Sequence, residues 1–323
     1  MSGILIAHRN PVRRDRLVRA VEAAPGRHLV AAVADLTAAY HVSEHTRPAV
    51  ALVSEDLAAL PEFEVMVLLF RALAIRCIVL ADGQAGSRRS LVEGVERMPM
   101  DDVLGRPDLP GGPVPPVTPP KTAGPAPAAE FASDRLILIG ASTGGVDALI
   151  KVLGAFPSDC PPTLVVQHTG GAFSAGLARL IDSHVAPKVA EAAEGERLTA
   201  GKVLIAPGSD RHLTVASRGT LVCRLEDGAA ISGHRPSVDA LFRSAIPLAP
   251  RVVAALLTGM GRDGAAGLTD LRRAGAATFG QDEATSVVYG MPRVAYELGG
   301  VGRQLPVTAI GQALLSACRR VPA

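Results

Sequence analysis

The stretch Leu136-Ile137-Leu138-Ile139-Gly140-Ala141-Ser142-Thr143-Gly144-Gly145-Val146 decides how the second half of this chain folds. A continuous apolar run, without the alternation of a half-exposed strand, is the pattern of a strand buried on both faces of a parallel sheet. The glycines that follow allow a sharp turn into a helix beginning near Val146. Gly140-Ala141-Ser142-Thr143-Gly144 fits G-x-S-x-G in the strand-to-helix setting where that pattern presents a serine hydroxyl at a sheet edge. Three readings of this turn stand side by side: a nucleophile, a helix cap with tight glycine packing, and a phosphate-binding turn.

Similar apolar runs recur after it at Leu164–Val166, Val203–Ile205 and Val252–Leu257, which predicts a second α/β unit. A hairpin interrupts the alternation, with Leu213–Ala216 and Leu221–Leu225 flanking the polar connection Ser217-Arg218-Gly219-Thr220. Upstream, residues 110–129 contain eight prolines and three glycines and predict an extended linker. Before the linker, five strand–helix units are expected, with strands near Ile4–Ala7, Leu29–Val33, Val50–Val53, Cys77–Ala81 and Val103–Leu104. Asn10 followed by Pro11 starts the first helix, whose Val12, Leu17 and Val21 are expected to face the sheet. The fold class is therefore α/β, with two doubly wound parallel-sheet domains and a β-hairpin inserted in the second. The expected boundaries are 1–108, a linker at 109–132, and 133–323, in keeping with about 150 residues per domain.

Composition removes several classes of function. A net charge of +2 supplies no field to attract nucleic acid or an anionic membrane. Seven Phe, three Tyr and no Trp leave few rings for base stacking. Cys77, Cys160, Cys223 and Cys318 are too widely spaced for a metal knuckle or a disulfide framework, and read as small buried hydrophobes in a reducing cytoplasm. The most apolar stretch, Val65 to Ala81, is broken by Arg71 and Arg76, so no membrane insertion is expected. The basic residues after Ala7 likewise predict no export signal.

If Ser142 is a nucleophile it needs a base, and the base needs an orienting carboxylate. His168 is the best-placed imidazole, because it directly follows the strand Leu164–Gln167, and open α/β sheets bind ligands at the carboxyl ends of their strands. His184 and His212 sit at element edges, and His234 is less clear. Asp263 lies in the glycine-rich turn Thr258-Gly259-Met260-Gly261-Arg262-Asp263-Gly264 after another buried run. Asp239, Asp270 and Asp282 compete with it as helix or capping charges. A dinucleotide-binding reading is weaker, since Gly140–Gly145 is not G-x-G-x-x-G.

Five ordered stretches carry a resemblance: Ile139–Gly145, Ile205-Ala206-Pro207-Gly208, His234-Arg235-Pro236-Ser237-Val238-Asp239, Leu257–Ala265 and Gln281–Pro292. Together they resemble the chemotaxis protein-glutamate methylesterases of the CheB type, over residues 135 to about 310. The resemblance implies a serine hydrolase that removes methyl esters from glutamate side chains of methyl-accepting chemoreceptors, with glutamine deamidation as a related reaction. It implies Ser142 as nucleophile, His168 as base, Asp263 as orienting acid, and the backbone amides of His168 and Met260 at the oxyanion. No cofactor and no metal are expected, and the setting is cytoplasmic, among other chemosensory regulatory proteins. Where the family usually reads Gln-His-Met-Pro, this chain has Gln167-His168-Thr169-Gly170-Gly171. Because methyl-accepting helices are acidic, Arg179, Arg235 and Arg262 are candidates for a basic docking rim, and Thr143 is a further substrate-binding candidate. The rival class is a non-catalytic chemosensory scaffold.

The first domain resembles a response-regulator receiver, but its chemistry is missing. Strand on strand, the acidic metal-binding pair falls on His8 and Arg9, the phosphoacceptor on Ser54, the hydroxyl residue on Ala81 and the lysine on Arg106. Such groups do not hold a hard divalent cation. No aspartyl phosphorylation is expected, and a docking or gating role is expected instead.

Overall fold

A computed structural model of the chain describes residues 2–60, 62–81, 95–105, 131–132, 134–169, 173–208, 210–217 and 219–319. The chain divides into two compact units, residues 1–118 and 119–323. Most of the expected linker, and Arg106, lie outside the described residues.

In the first unit, strands β1 (Ser2–Ala7), β2 (Arg27–Val33), β3 (Val50–Ser54), β4 (Arg76–Ala81) and β5 (Glu96–Pro99) form one sheet in the order β2-β1-β3-β4-β5. All neighbours are parallel, and this order is that of the flavodoxin-like doubly wound folds. Helix α1 (Pro11–Ala23) starts as expected, with Asn10 Oδ1 accepting from the Arg13 amide. Leu17 and Val21 are buried, but Val12 is 76% exposed, because five and nine residues of helical rotation put it on the face of α1 opposite to theirs. Helices α2 (Leu36–Thr46), α3 (Glu55–Ala58) and α4 (Phe63–Ala72) follow. The last strand also differs from expectation. It is Glu96–Pro99, and Val103–Leu104 belongs to helix α5 (Met100–Gly105), so Arg97 and Met98, not Arg106, precede the strand's end.

At the switch point between β1 and β3 stand His8, Arg9 and Ser54, where a receiver would carry carboxylates. Arg14 donates to the His8 carbonyl at 2.7 Å, Arg9 lies 4.0 Å from Asp56, and Arg97 pairs with Glu55. Ser54 is buried and its hydroxyl has no hydrogen-bond partner among the described residues. The carboxylates that are present are thus taken up by arginines.

The second unit is a seven-stranded sheet. Strands β6 (Leu136–Ala141), β7 (Thr163–Gln167), β8 (Lys188–Glu191) and β9 (Lys202–Ile205) are followed by an antiparallel ribbon, β10 (Arg211–Ser217) with β11 (Leu221–Asp227). Strands β12 (Val252–Leu256), β13 (Ala277–Gln281) and β14 (Arg303–Leu305) complete the sheet in the order β14-β13-β12-β6-β7-β9-β8, parallel throughout. Helices α6 (Gly145–Leu153), α7 (Ser174–Asp182), α8 (Val238–Ser244), α9 (Ala265–Arg273), α10 (Met291–Glu297) and α11 (Val307–Cys318) cover its faces. Every residue of β6, β7 and β12 is buried, as parallel strands between helix layers must be. From β6 the chain crosses to β7 on one side, while β12 enters on the other. The loops after β6 and β12 therefore diverge at the carboxyl edge and open a crevice.

Candidate active site

Ala141 at the end of β6 is paired with Gln167 at the end of β7. Ser142 and His168 are the next residues on these neighbouring strands, so their backbones stand about one interstrand spacing apart, roughly 4.8 Å. The turn that carries Ser142 is tied down on both sides. Its amide donates to the Thr258 carbonyl at 3.0 Å, and its carbonyl accepts from the Gly145 amide and from Gln167 Nε2, each at 2.8 Å. Gly144 adopts φ of +80°, and a Cβ there would come within 2.7 Å of Val287 Cγ2. Gly259 has no room for a side chain either, since its Cβ would lie 2.7 Å from Ser142 Cβ. Glycine at these two positions lets the β6 and β12 loops close around the serine.

The His168 ring places Nε2 2.8 Å from Asp263 Oδ2. Asp263 is fully buried and meets four further donors: the Ser237 hydroxyl at 2.7 Å and the amides of Val238 at 2.7 Å, Asp239 at 3.1 Å and Gly264 at 3.1 Å. Burial is the largest single influence on this carboxyl and opposes its ionisation. The hydrogen bonds from His168 and Ser237, with the His168 charge and the Val238 amide, outweigh it and hold the pKa below the usual carboxylate value. An ionised Asp263 accepts only, so His168 carries its proton on Nε2 and leaves Nδ1 as the basic nitrogen. Nδ1 is buried and has no partner among the described residues.

The structure thus joins two of the three expected residues by a hydrogen bond and sets the third on the adjacent strand end. The Ser142 hydroxyl makes no hydrogen bond to a described residue. One expectation is corrected. The His168 amide donates to the Ala141 carbonyl at 3.1 Å, because the β6–β7 ladder continues one rung past the strands and consumes that N–H. Among the described residues, the amides of Thr143 and Met260 have no acceptor. Thr143, the residue after the serine, occupies the position from which an oxyanion donor comes in strand–turn–helix hydrolases.

Arg235 does not form a free rim: it donates to the Gly228 carbonyl at 2.7 Å and to Asp210 Oδ1 at 3.0 Å. Arg179 is exposed on α7, and Arg262 is exposed immediately before Asp263. The segment 170–172 after His168 lies outside the described residues. No group of His, Cys, Asp and Glu able to hold a metal occurs among the described residues.

Sequence reasoning missed Gln167, which bonds the carbonyls of both Ser142 and His168, and Thr258, whose hydroxyl bonds the Thr143 carbonyl at 2.9 Å. It also missed Ser237. A serine between Pro236 and an apolar run is an N-cap signal, and that signal was available.

A doubly wound parallel sheet carries Ser142, His168 and Asp263 on the loops at its carboxyl edge. A CheB methylesterase family model matches residues 137–314, more than half of the chain, and the chain belongs to that family. It is 53% identical over 203 residues to an Agrobacterium fabrum protein named protein-glutamate methylesterase/protein-glutamine glutaminase, covering 61% of this chain and 58% of that one. A Gluconobacter oxydans protein of the same name is 44% identical over 263 residues, 75% of each chain. The crystal structure of the Thermotoga maritima CheB methylesterase catalytic domain superposes with a TM-score of 0.56 at 34% identity, covering 57% of this chain and 99% of that one. The match spans little more than half the length of the Agrobacterium protein and of a Rhizobium etli relative, 58% and 52%. Among the described residues no helix is long and apolar enough to cross a membrane.

Proposed function

We propose that this chain is a protein-glutamate methylesterase, with Ser142, His168 and Asp263 as its catalytic residues. The observation that carries the reading is the buried His168–Asp263 pair, whose Nδ1 has no partner among the described residues and whose histidine directly follows the strand next to that of Ser142. In this mechanism the Ser142 hydroxyl adds to the γ-carbonyl of an esterified glutamate while Nδ1 takes its proton, and Asp263 stabilises the imidazolium. The tetrahedral oxyanion is held by the amides of Thr143 and Met260, each such donor contributing roughly 3 kcal/mol to the barrier reduction. The imidazolium returns its proton to the leaving methoxide and methanol departs. A water deprotonated by His168 then attacks the acyl-serine and frees the glutamate. With a glutamine substrate the same steps release ammonia, so deamidation is included in the proposal, and neither reaction calls on a metal or cofactor.

The substrate proposed is the methyl-accepting helical region of a chemoreceptor, met in the cytoplasm, with Arg262 and Arg179 as the remaining candidates for contact with its carboxylates. Residues 133–323 are the catalytic domain in this reading, joined by a linker at 109–132 to a receiver-like domain at 1–108. The test is methanol release from methylated receptor, together with labelling by a fluorophosphonate. Ser142→Ala is expected to lower turnover by about a millionfold if the three residues act as one unit. Near-wild-type release from that variant, or no labelling of the wild-type protein at Ser142, rejects the proposal and favours a scaffold.

A further inference from the structure

The face of the His168 ring is covered by a second imidazole. The rings of His168 and His234 are stacked with centroids 3.8 Å apart and planes 4° from parallel. A single hydrogen bond from Nε2 to Asp263 fixes one point of the His168 ring but leaves its plane free to pivot, and among the described residues Nδ1 has no partner to stop it. A parallel ring in van der Waals contact removes that freedom.

His234 is itself held firmly. Its amide and carbonyl exchange hydrogen bonds with Ile231 at 2.9 and 3.1 Å, closing a tight turn in which Ser232 and Gly233 take φ of +52° and +84°. On its other side Arg235 is anchored to the Gly228 carbonyl and Asp210, and the Ser237 amide donates to His212 Nδ1 at 3.2 Å. The same segment then supplies Ser237, Val238 and Asp239, three of the donors that grip Asp263. One short stretch of chain therefore sets both the carboxylate and the plane of the ring bonded to it.

From this geometry we infer that His234 is a positioning residue: its ring holds the His168 plane so that Nδ1 stays directed at the Ser142 hydroxyl through both proton transfers. The inference rests on the proposed hydrolase chemistry. Burial, then the neighbouring His168, lower the pKa of His234, and Asp263 only partly offsets them, which favours the uncharged ring. A neutral aromatic face stabilises the imidazolium formed beside it, where a second cation would repel it.

The experiment compares His234→Ala and His234→Phe in the full-length chain by two readouts: methanol release from methylated receptor, and the rate of fluorophosphonate labelling of Ser142. Loss of the stack is expected to lower kcat and the labelling rate by about tenfold or more in the alanine variant, with KM changed by less than about twofold. Phenylalanine keeps a flat ring and lacks both nitrogens, so it is expected to recover most of each rate. If the alanine variant does not fold, the phenylalanine variant alone decides, since activity near wild type supports a role for the plane and a tenfold deficit denies it. Unchanged rates in the alanine variant, a phenylalanine variant no better than alanine, or an effect on KM alone each overturn the inference. A wild-type protein that is labelled but releases no methanol defeats the proposed substrate, and leaves the two labelling rates to judge His234.

Discussion

The side-chain amide of Gln167 lies 2.8 Å from the Ser142 carbonyl and 3.3 Å from the His168 carbonyl, bridging the turn that carries Ser142 to the strand end that carries His168. Its other end occupies the space left by the missing side chain of Gly145. A methyl group at Gly145 would also stand 2.8 Å from Ala141 Cβ and 2.9 Å from Gln167 Cδ, so no small movement relieves it. Gly145→Ala is therefore expected to cost about 1–3 kcal/mol in denaturant unfolding, as overpacking does, and to displace Gln167. Fluorophosphonate labelling of Ser142 should slow in the same variant by about tenfold or more, since the serine and histidine lose their shared tie.

Ser237 serves twice: its hydroxyl donates to Asp263 Oδ1 at 2.7 Å, and its oxygen caps α8 by accepting from the Ala240 amide at 3.3 Å. Ser237→Ala removes a hydrogen bond to a charged group and a helix cap together, and should destabilise the second unit by about 2 kcal/mol. Val238, Asp239 and Gly264 still hold the carboxylate, so kcat should fall by only about tenfold, far less than for Ser142→Ala. Unfolding curves and methanol release on one preparation check both numbers.

Asp263 and Asp239 respond to acid in opposite directions. The Asp263 pKa is lowered in the folded state, so its stabilisation is complete above the ordinary carboxyl value near 3.9 and is lost as pH falls through the lower folded value. Asp239 is raised by burial first and also by the nearby Asp263 carboxylate, so protonating it on acidification relieves strain on the folded state. Stability measured from pH 6 to about pH 3 should therefore fall less steeply in Asp263→Asn than in the parent protein. At neutral pH the same variant should lose about 10⁴ in kcat, because a neutral amide no longer fixes the His168 tautomer or stabilises its cation.

Burial pushes the thiols of Cys160 and Cys318 up to about 12. A thiol that stays protonated is a poor nucleophile. Iodoacetamide at pH 8 should leave both unmodified in the native protein and alkylate both once it is denatured, as read by peptide mass spectrometry.

The parallel sheets were legible because β6, β7, β9 and β12 are continuous apolar runs, a pattern that only burial on both faces produces. Strands without such runs were not. Glu96–Pro99 opens on two adjacent charges, Lys188–Glu191 is charged at both ends, and Arg303–Leu305 is a three-residue edge, so pairing with a neighbour, and not composition, makes them strands. In place of the first, the apolar pair Val103–Leu104 attracted a strand assignment, although it lies in α5. At the site, the chemical residue types pointed to Ser142, His168 and Asp263, and strand ends explained why they should meet. The supports around them were hidden for a physical reason. Gln167, Thr258 and His234 act through distances and ring planes that no local pattern encodes. The fate of the His168 amide likewise depended on how far the β6–β7 ladder ran.

The central pairing of β6 with β12 joins segments made at very different times. When a nascent chain has emerged only as far as β7, it holds the serine and the histidine but neither Asp263 nor the segment that grips it. In the proposed mechanism the reactive geometry is therefore acquired late in synthesis, after α8 and β12 have docked, and a polypeptide that ends before Asp263 lacks it. Labelling of Ser142 then doubles as a clock for the docking of α8 and β12.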